Sequence, residues 1–185
     1  MEIERYIRPL QFRLYTPADF DTCVALYASN EPGHVPDGYR PHFEQWLADG
    51  RTLILIADYS GVPVACGGVA YQNTYDVAAL SFGIVHSQHH RHGFGTTLLA
   101  ARLALLEPDT YGCTVAMEVT SGSFSFYRRF GFQGYSVSTD ARGHCFGSFT
   151  RLVTPTDVAR CQQMLSSAGA MLPAEYEIPI NDTNA

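Results

Sequence analysis

Gly93-Phe94-Gly95 stands between a short apolar run, Ser81 to Val85, and a stretch whose Leu98, Leu99, Leu103 and Leu106 share one helical face. Read as strand, turn and helix, the stretch can do specific chemistry. Two glycines one residue apart let the backbone turn sharply and remove the side chains that would hold a ligand off. The N–H groups of Gly93, Phe94, Gly95, Thr96 and Thr97 open the helix and have no partners within it. Aligned peptide dipoles favour an anion in front of them, so the turn reads as a phosphate cradle. A nucleotide P-loop needs a Lys that Gly95-Thr96-Thr97 lacks. A dinucleotide fingerprint needs a third Gly where Leu98 stands. Glu118 is a carboxylate in an otherwise apolar run, Cys113 to Val119, where burial would raise its pKa toward that of a useful base. On a solvated face it would instead be a counter-charge for an ammonium. His86, a second base candidate, already titrates near neutral pH when unperturbed. His86, His89, His90 and His92 crowd the turn, but no Cys or carboxylate is interleaved and adjacent His side chains point apart. No metal site is expected there.

The elements that must position these groups follow in order. Gln11 to Tyr15 alternates as a strand, and Thr16-Pro17 starts a helix carrying Phe20, Val24 and Tyr27. Asn30 to Pro41, with three prolines and two glycines, is a loop. Pro41 to Asp49 reads as a short helix. Thr52 to Asp58 and Pro63 to Tyr71 are strands joined across Ser60-Gly61, and Gly67-Gly68 marks a bulge or a close backbone approach. Ala78 to Val85 leads into the cradle. After the long helix come a strand (Cys113 to Val119), a short helix (Ser123 to Phe130) and two strands (Gln133 to Ser138, Cys145 to Leu152) around a turn at Asp140 to Gly143. Thr154-Pro155-Thr156-Asp157 caps a last helix that ends at Gly169. The tail beyond it has no regular pattern, although Tyr176, Ile178 and Ile180 alternate as an edge strand added to a partner or a second copy would.

Two motifs in this order resemble those of the GCN5-related N-acetyltransferases. The first is the pyrophosphate loop Arg/Gln-x-x-Gly-x-Gly/Ala, here His90-Arg91-His92-Gly93-Phe94-Gly95, with His90 in place of Arg or Gln. The second is Glu118-Val119 followed by a helix ending Tyr127-x-x-x-Gly131-Phe132, with Ser121 or Gly122 where Asn is usual. The resemblance spans about Gln11 to Leu152. It implies an α/β fold with a mixed, mostly antiparallel sheet of six to seven strands, splayed at the acetyl-CoA site and flanked by helices. Residues 1–153 would form that domain, with 154–185 part of it or a dimer contact. It also implies an acetyl-CoA-dependent N-acyltransferase acting on a primary amine of a small molecule or peptide by direct attack in a ternary complex. Its expected catalytic residues are Tyr127, as proton donor to the CoA sulfur, and Glu118. Acetyl-CoA would meet Ile84, Val85, His90 through Thr97, Ser123 and Tyr127. The loop between the first two helices would border the acceptor, with Tyr39, His42 and Tyr71 facing it. An alternative is a catalytically silent acyl-CoA-binding regulatory module on the same fold.

Composition narrows the rest. The chain has 185 residues and a net charge of -6, which argues against non-specific nucleic-acid binding. No apolar run approaches the roughly 20 residues of a membrane span. The five scattered cysteines and the charged N-terminal stretch point to reduced thiols in a cytoplasmic protein. Family members are often dimers, so a homodimer is also in view.

Overall fold

The computed structural model describes residues 4–31 and 33–181. Its strands are β1 (Gln11–Leu14), β2 (Leu53–Tyr59), β3 (Val62–Gln72), β4 (Thr74–Val85), β5 (Cys113–Thr120), β6 (Gln133–Thr139), β7 (Cys145–Val153) and β8 (Ile180–Asn181). Its helices are α1 (Phe20–Ala28), α2 (Arg40–Ala48), α3 (Phe94–Ala104), α4 (Phe124–Arg129) and α5 (Pro155–Ser167). The strands form one sheet in the order β1-β2-β3-β4-β5-β7-β6, with β8 added to β3. All pairings are antiparallel except β4 with β5 and β3 with β8. The mixed, mostly antiparallel α/β sheet expected from sequence is present, with β8 as an eighth strand.

Local chemistry explains the elements. Ser60 and Gly61 both take positive φ, the two-residue turn that matches the twist of the hairpin joining β2 and β3. Thr16 and Asp19 form a capping box ahead of α1, and Thr154 and Asp157 form one ahead of α5. Helices cover both faces of the sheet. On one side α3 and α5 bring Leu98, Leu99, Leu103, Val158 and Leu165 against Val115 and Met117. On the other, α1 and α2 bring Leu26, Tyr27, Phe43 and Trp46 against Ile54, Ile56 and Ile84. Each large side chain buried this way contributes about 1.5–3 kcal/mol.

The sheet is open in the middle. The β4–β5 ladder holds Val77, Ala78 and Ala79 against Thr114, Val115 and Ala116, and then stops. β4 continues to Val85 and β5 to Thr120 without pairing, so the two strands part into a cleft. On the β4 side the register slips opposite Gly67, and Phe82 is driven to a φ of 40°. Under this bulge lies the side chain of Arg102, 2% exposed, which donates to the Ser81 carbonyl at 3.4 Å. A Cβ on Gly67 or Gly83 would run into that guanidinium at 3.3 and 2.8 Å. The glycine pair Gly67-Gly68 thus marks both a bulge and a close approach.

The tail departs from expectation. Met171 donates to the Leu10 carbonyl at 3.0 Å and accepts from Phe12 N–H at 2.7 Å. Ile180 and Asn181 pair with Tyr71 and Gln72 of the same chain. The reason is geometric: β2 begins only at Leu53, opposite Val69, which leaves the end of β3 without a neighbour on that side. Among the described residues, no helix is long and apolar enough to cross a membrane.

Candidate active site

The cleft between β4 and β5 is a groove of about 950 Å³. Its floor includes Gly83, Ile84 and Val85 from β4. One wall is the start of α3, with Gly93, Gly95 and Thr96. The other is the turn from Thr120 into α4, with Ser123, Phe126 and Tyr127. The loop between α1 and α2 closes one end through His34 to Asp37, and the β6–β7 turn adds Gly143, His144 and Cys145.

At the α3 end, Gly93 sits at a φ of 91°, which lets the chain swing into the helix. Thr97 N–H is spent on the Gly93 carbonyl at 3.0 Å, so the free donors number fewer than the sequence suggests. Those of Phe94, Gly95 and Thr96 meet no protein acceptor among the described residues. A Cβ on Gly95 would touch Phe126 and Val85 only at 3.7 Å, ordinary contact. The protein's own packing therefore does not require glycine there, and the bare Cα leaves the face in front of the N–H groups open. Arg5, Arg91 and Arg129 rim this end, a cationic border suited to phosphates. The groove and its free donors fit a CoA pyrophosphate.

The expected cofactor residues Ile84, Val85, His90, Arg91, Gly93, Gly95, Thr96, Ser123 and Tyr127 line the groove. Three others stand apart. Phe94 is 4% exposed and packs on Tyr59 and His89. Thr97 is buried, its hydroxyl accepting from Arg8 N–H and donating to the Gly93 carbonyl. His92 is exposed and off the groove. His90, where Arg or Gln is usual in the resemblance, is turned inward: Nε2 meets the Val85 carbonyl at 3.0 Å. Burial pushes its pKa down although that hydrogen bond works the other way, so it is a neutral brace.

Tyr127 is 9% exposed, lines the groove, and its hydroxyl has no protein partner among the described residues. Glu118 corrects the expectation of a buried carboxylate. Val115, Met117 and Val119 face the α3 core, so alternation turns Glu118 to the other face, where it is exposed. The burial that would make it a strong base is absent. Of the expected acceptor residues, Tyr39 packs against His144 and Phe146 and donates to Asp140 Oδ2 at 2.9 Å. His42 stacks on Tyr39 from the exposed side and does not reach the groove. Tyr71 is a second correction: it is buried beside Tyr75, its hydroxyl accepting from Glu107 N–H at 2.8 Å, in a separate small pocket. Tyr176 and Ile178 of the tail line that same pocket.

The acceptor-side pair His144 and Asp140 goes unnoticed in the sequence. His144 Nδ1 lies 2.9 Å from Asp140 Oδ2. Asp140 also accepts backbone N–H groups from Arg142 and His144. Partial burial works to raise this carboxyl, but the donors around it outweigh that and hold it well below the ordinary carboxylate range. Donation to Asp140 in turn pushes the Tyr39 phenol up. The signal for the pair is local: an Asp, a Gly and a His within five residues of a turn, a pattern in which the Asp caps its own loop. Among the described residues, no group of three His, Cys, Asp or Glu side chains is placed to hold a metal ion.

The family model described as "Acetyltransferase (GNAT) family" matches residues 20–132. The chain belongs to this family. No curated protein sequence matches it. Solved structures share its fold at low identity. A GNAT-family structure from Desulfovibrio desulfuricans is 16% identical, with a TM-score of 0.65 over 77% of this chain and 98% of its own. The ribosomal-protein-S18-alanine N-acetyltransferase of Escherichia coli is 16% identical, with a TM-score of 0.61 over 77% and 93%. An aminoglycoside 6'-N-acetyltransferase complexed with coenzyme A is 14% identical, with a TM-score of 0.62 over 78% and 97%. In this GNAT chain the match ends at Phe132, just past Tyr127, so β6, β7 and the His144 turn lie outside the matched segment.

Proposed function

We propose that the chain transfers an acetyl group from acetyl-CoA to a primary amine, by direct attack with both substrates bound. The observation that carries this reading is that one groove, opened by the parting of β4 and β5, holds both the free N–H groups at the start of α3 and the unengaged hydroxyl of Tyr127. The donors would hold the CoA pyrophosphate, with Arg5, Arg91 and Arg129 around it. Acetyl-CoA supplies a thioester whose carbonyl an amine can attack. The chain's residues do the rest. Tyr127 gives a proton to the leaving sulfur. Its burial against Phe126 and Phe132 fixes the ring for that task. The acceptor enters on the side of the α1–α2 loop, where exposed Glu118 lies close enough for its charge to act on Tyr39. There it serves as a counter-charge for an incoming ammonium. Two similar structures carry names in which the acceptor is an amine, a ribosomal protein's alanine in one and an aminoglycoside in the other. That supports an amine acceptor and leaves its size open, so small molecules and peptides both belong in the test.

The test is thiol release from acetyl-CoA with a panel of small amines and peptides, beside calorimetric binding of acetyl-CoA and of CoA. Binding with release on one class of amine is the expected outcome. A chain that binds acetyl-CoA and turns over no acceptor would contradict the reading as an enzyme.

A further inference from the structure

We infer that His144, oriented by Asp140, is the base that takes the acceptor's proton. This rests on the acyl-transfer reading above. The Asp140 carboxylate receives four donors: Arg142 N–H at 2.9 Å and His144 N–H at 2.8 Å on Oδ1, and Tyr39 Oη and His144 Nδ1, both at 2.9 Å, on Oδ2. An anion so surrounded has no proton to give, so the proton of the shared contact sits on His144 Nδ1. Nε2 keeps its lone pair. It has no hydrogen-bond partner among the described residues, and the side chain is 25% exposed and lines the groove. A carboxylate that fixes the tautomer and stabilises the imidazolium is the arrangement that turns a histidine into an effective base.

The other histidines of the groove are not held this way. His90 spends Nε2 on the Val85 carbonyl, His34 packs edge-on against His90, and His89 lies against His86 and Phe94. Position favours His144 as well. Phe146 pairs with Thr120 at the end of β5, and Thr120 leads through a single turn into α4, which carries Tyr127. Base and acid thus come from adjoining ends of the same wall, with Tyr39 packing on the rings of both His144 and Phe146. Among the charged and titratable groups around this turn, Asp140 and Tyr39 touch His144 itself, Arg142 and Cys145 stand near it in the chain, Asp37 lines the same groove and its carbonyl accepts from Arg142, and the charge of Glu118 acts on Tyr39.

The step balances. The acceptor ammonium first releases one proton to water in the open groove; the neutral nitrogen then forms the C–N bond, and one of its N–H protons passes to His144 Nε2. The thioester C–S bond breaks and the sulfur takes a proton from Tyr127. The imidazolium then returns a proton to the tyrosinate through water, and the protein ends as it began.

The experiment is thiol release from acetyl-CoA, with primary amines and with water alone as acceptors, across about pH 5.5 to 9.5, for wild type, His144→Gln, His144→Ala and Asp140→Asn. His144→Gln is expected to lose about 100-fold in kcat near pH 7, with acetyl-CoA affinity and thermal stability unchanged. Its rate should keep climbing with pH where wild type levels off, and added imidazole should restore part of the His144→Ala rate. Asp140→Asn should show the same flattened advantage at neutral pH. His144→Gln matching wild type across the range would overturn the assignment. Acetyl-CoA binding with no thiol release on any acceptor, water included, would count against the enzyme reading itself rather than against His144. No acetyl-CoA binding by wild type would instead remove the acyl-transfer reading on which the assignment stands.

Discussion

At the residue scale, what matters is which polar side chains are spent and which are free. Tyr127 reaches the groove with an unengaged hydroxyl, whereas Tyr71, more deeply buried, has its hydroxyl committed to Glu107 N–H. Tyr127→Phe should therefore lower kcat by about 10²-fold and leave acetyl-CoA affinity within a factor of two or so. Steady-state kinetics beside calorimetry check this, and unchanged turnover would remove the acid role. A second residue-scale prediction concerns Asp19. Arg13 donates to its carboxylate at 2.9 Å, and Thr16 adds its N–H and hydroxyl. The Arg13 hydrogen bond is the largest cause that lowers its pKa to about 2. The folded value lies below the ordinary carboxylate value of about 3.9, so the stabilisation is full above about pH 4. It is lost as pH falls through the folded value. Asp19→Asn should be less stable than wild type in urea at about pH 7, with the gap closing as pH falls to about 2. A gap that stays constant would contradict the assigned cause. Parity along a strand was legible in the sequence, but which parity faces a core was not. Hence Glu118 read equally well as buried or as exposed, and the fold turns it outward.

At the element scale, the strand–turn–helix of the cradle was legible because its geometry is set by near neighbours. Gly93 needs a positive φ, Gly95 needs an open face, and the Leu residues that follow need one helical stripe. The two glycines separate by experiment. Gly93→Ala puts an L residue at a φ of 91° with its Cβ against the Tyr6 carbonyl, and should cost the fold about 1–2 kcal/mol or more. Gly95→Ala meets only ordinary contacts, so stability should hold while acetyl-CoA affinity falls about tenfold or further, about 1.4 kcal/mol. Urea melts and calorimetry on the two variants check both halves. A Gly95→Ala protein that binds like wild type would mean that nothing lies across that turn. The His144–Asp140 pair is also an element-scale device, a turn that caps itself and aims one ring. Its Asp-to-His spacing was visible in the chain, but the Tyr39 contact that fixes it comes from far away in sequence, and no local pattern announces it.

At the scale of the whole molecule, the sheet is held shut at one end and parted at the other. The order of strands and helices was readable from alternation, caps and turns, whereas the splay followed only from the resemblance. The course of the tail was not. Its alternating Tyr176, Ile178 and Ile180 read equally well as an edge strand for any acceptor edge, and the free end of β3 exists only because β2 does not begin until Leu53. Ending the chain at Gly169 removes buried Ile178 and the straps to Leu10, Phe12 and Tyr71. Such a chain should lose roughly 5–10 °C in Tm. An unchanged Tm would mean that the tail contributes nothing to its own sheet.

The most direct measurement is calorimetric titration of acetyl-CoA into the wild-type chain and into Gly95→Ala, with the folded state of both confirmed by thermal melts. One acetyl-CoA bound per groove by wild type, and markedly weaker binding by an equally stable Gly95→Ala, is the result this account predicts. A folded wild-type chain that takes up no acetyl-CoA would contradict it at the centre, because the open backbone donors at the start of α3 would then have no anion to hold.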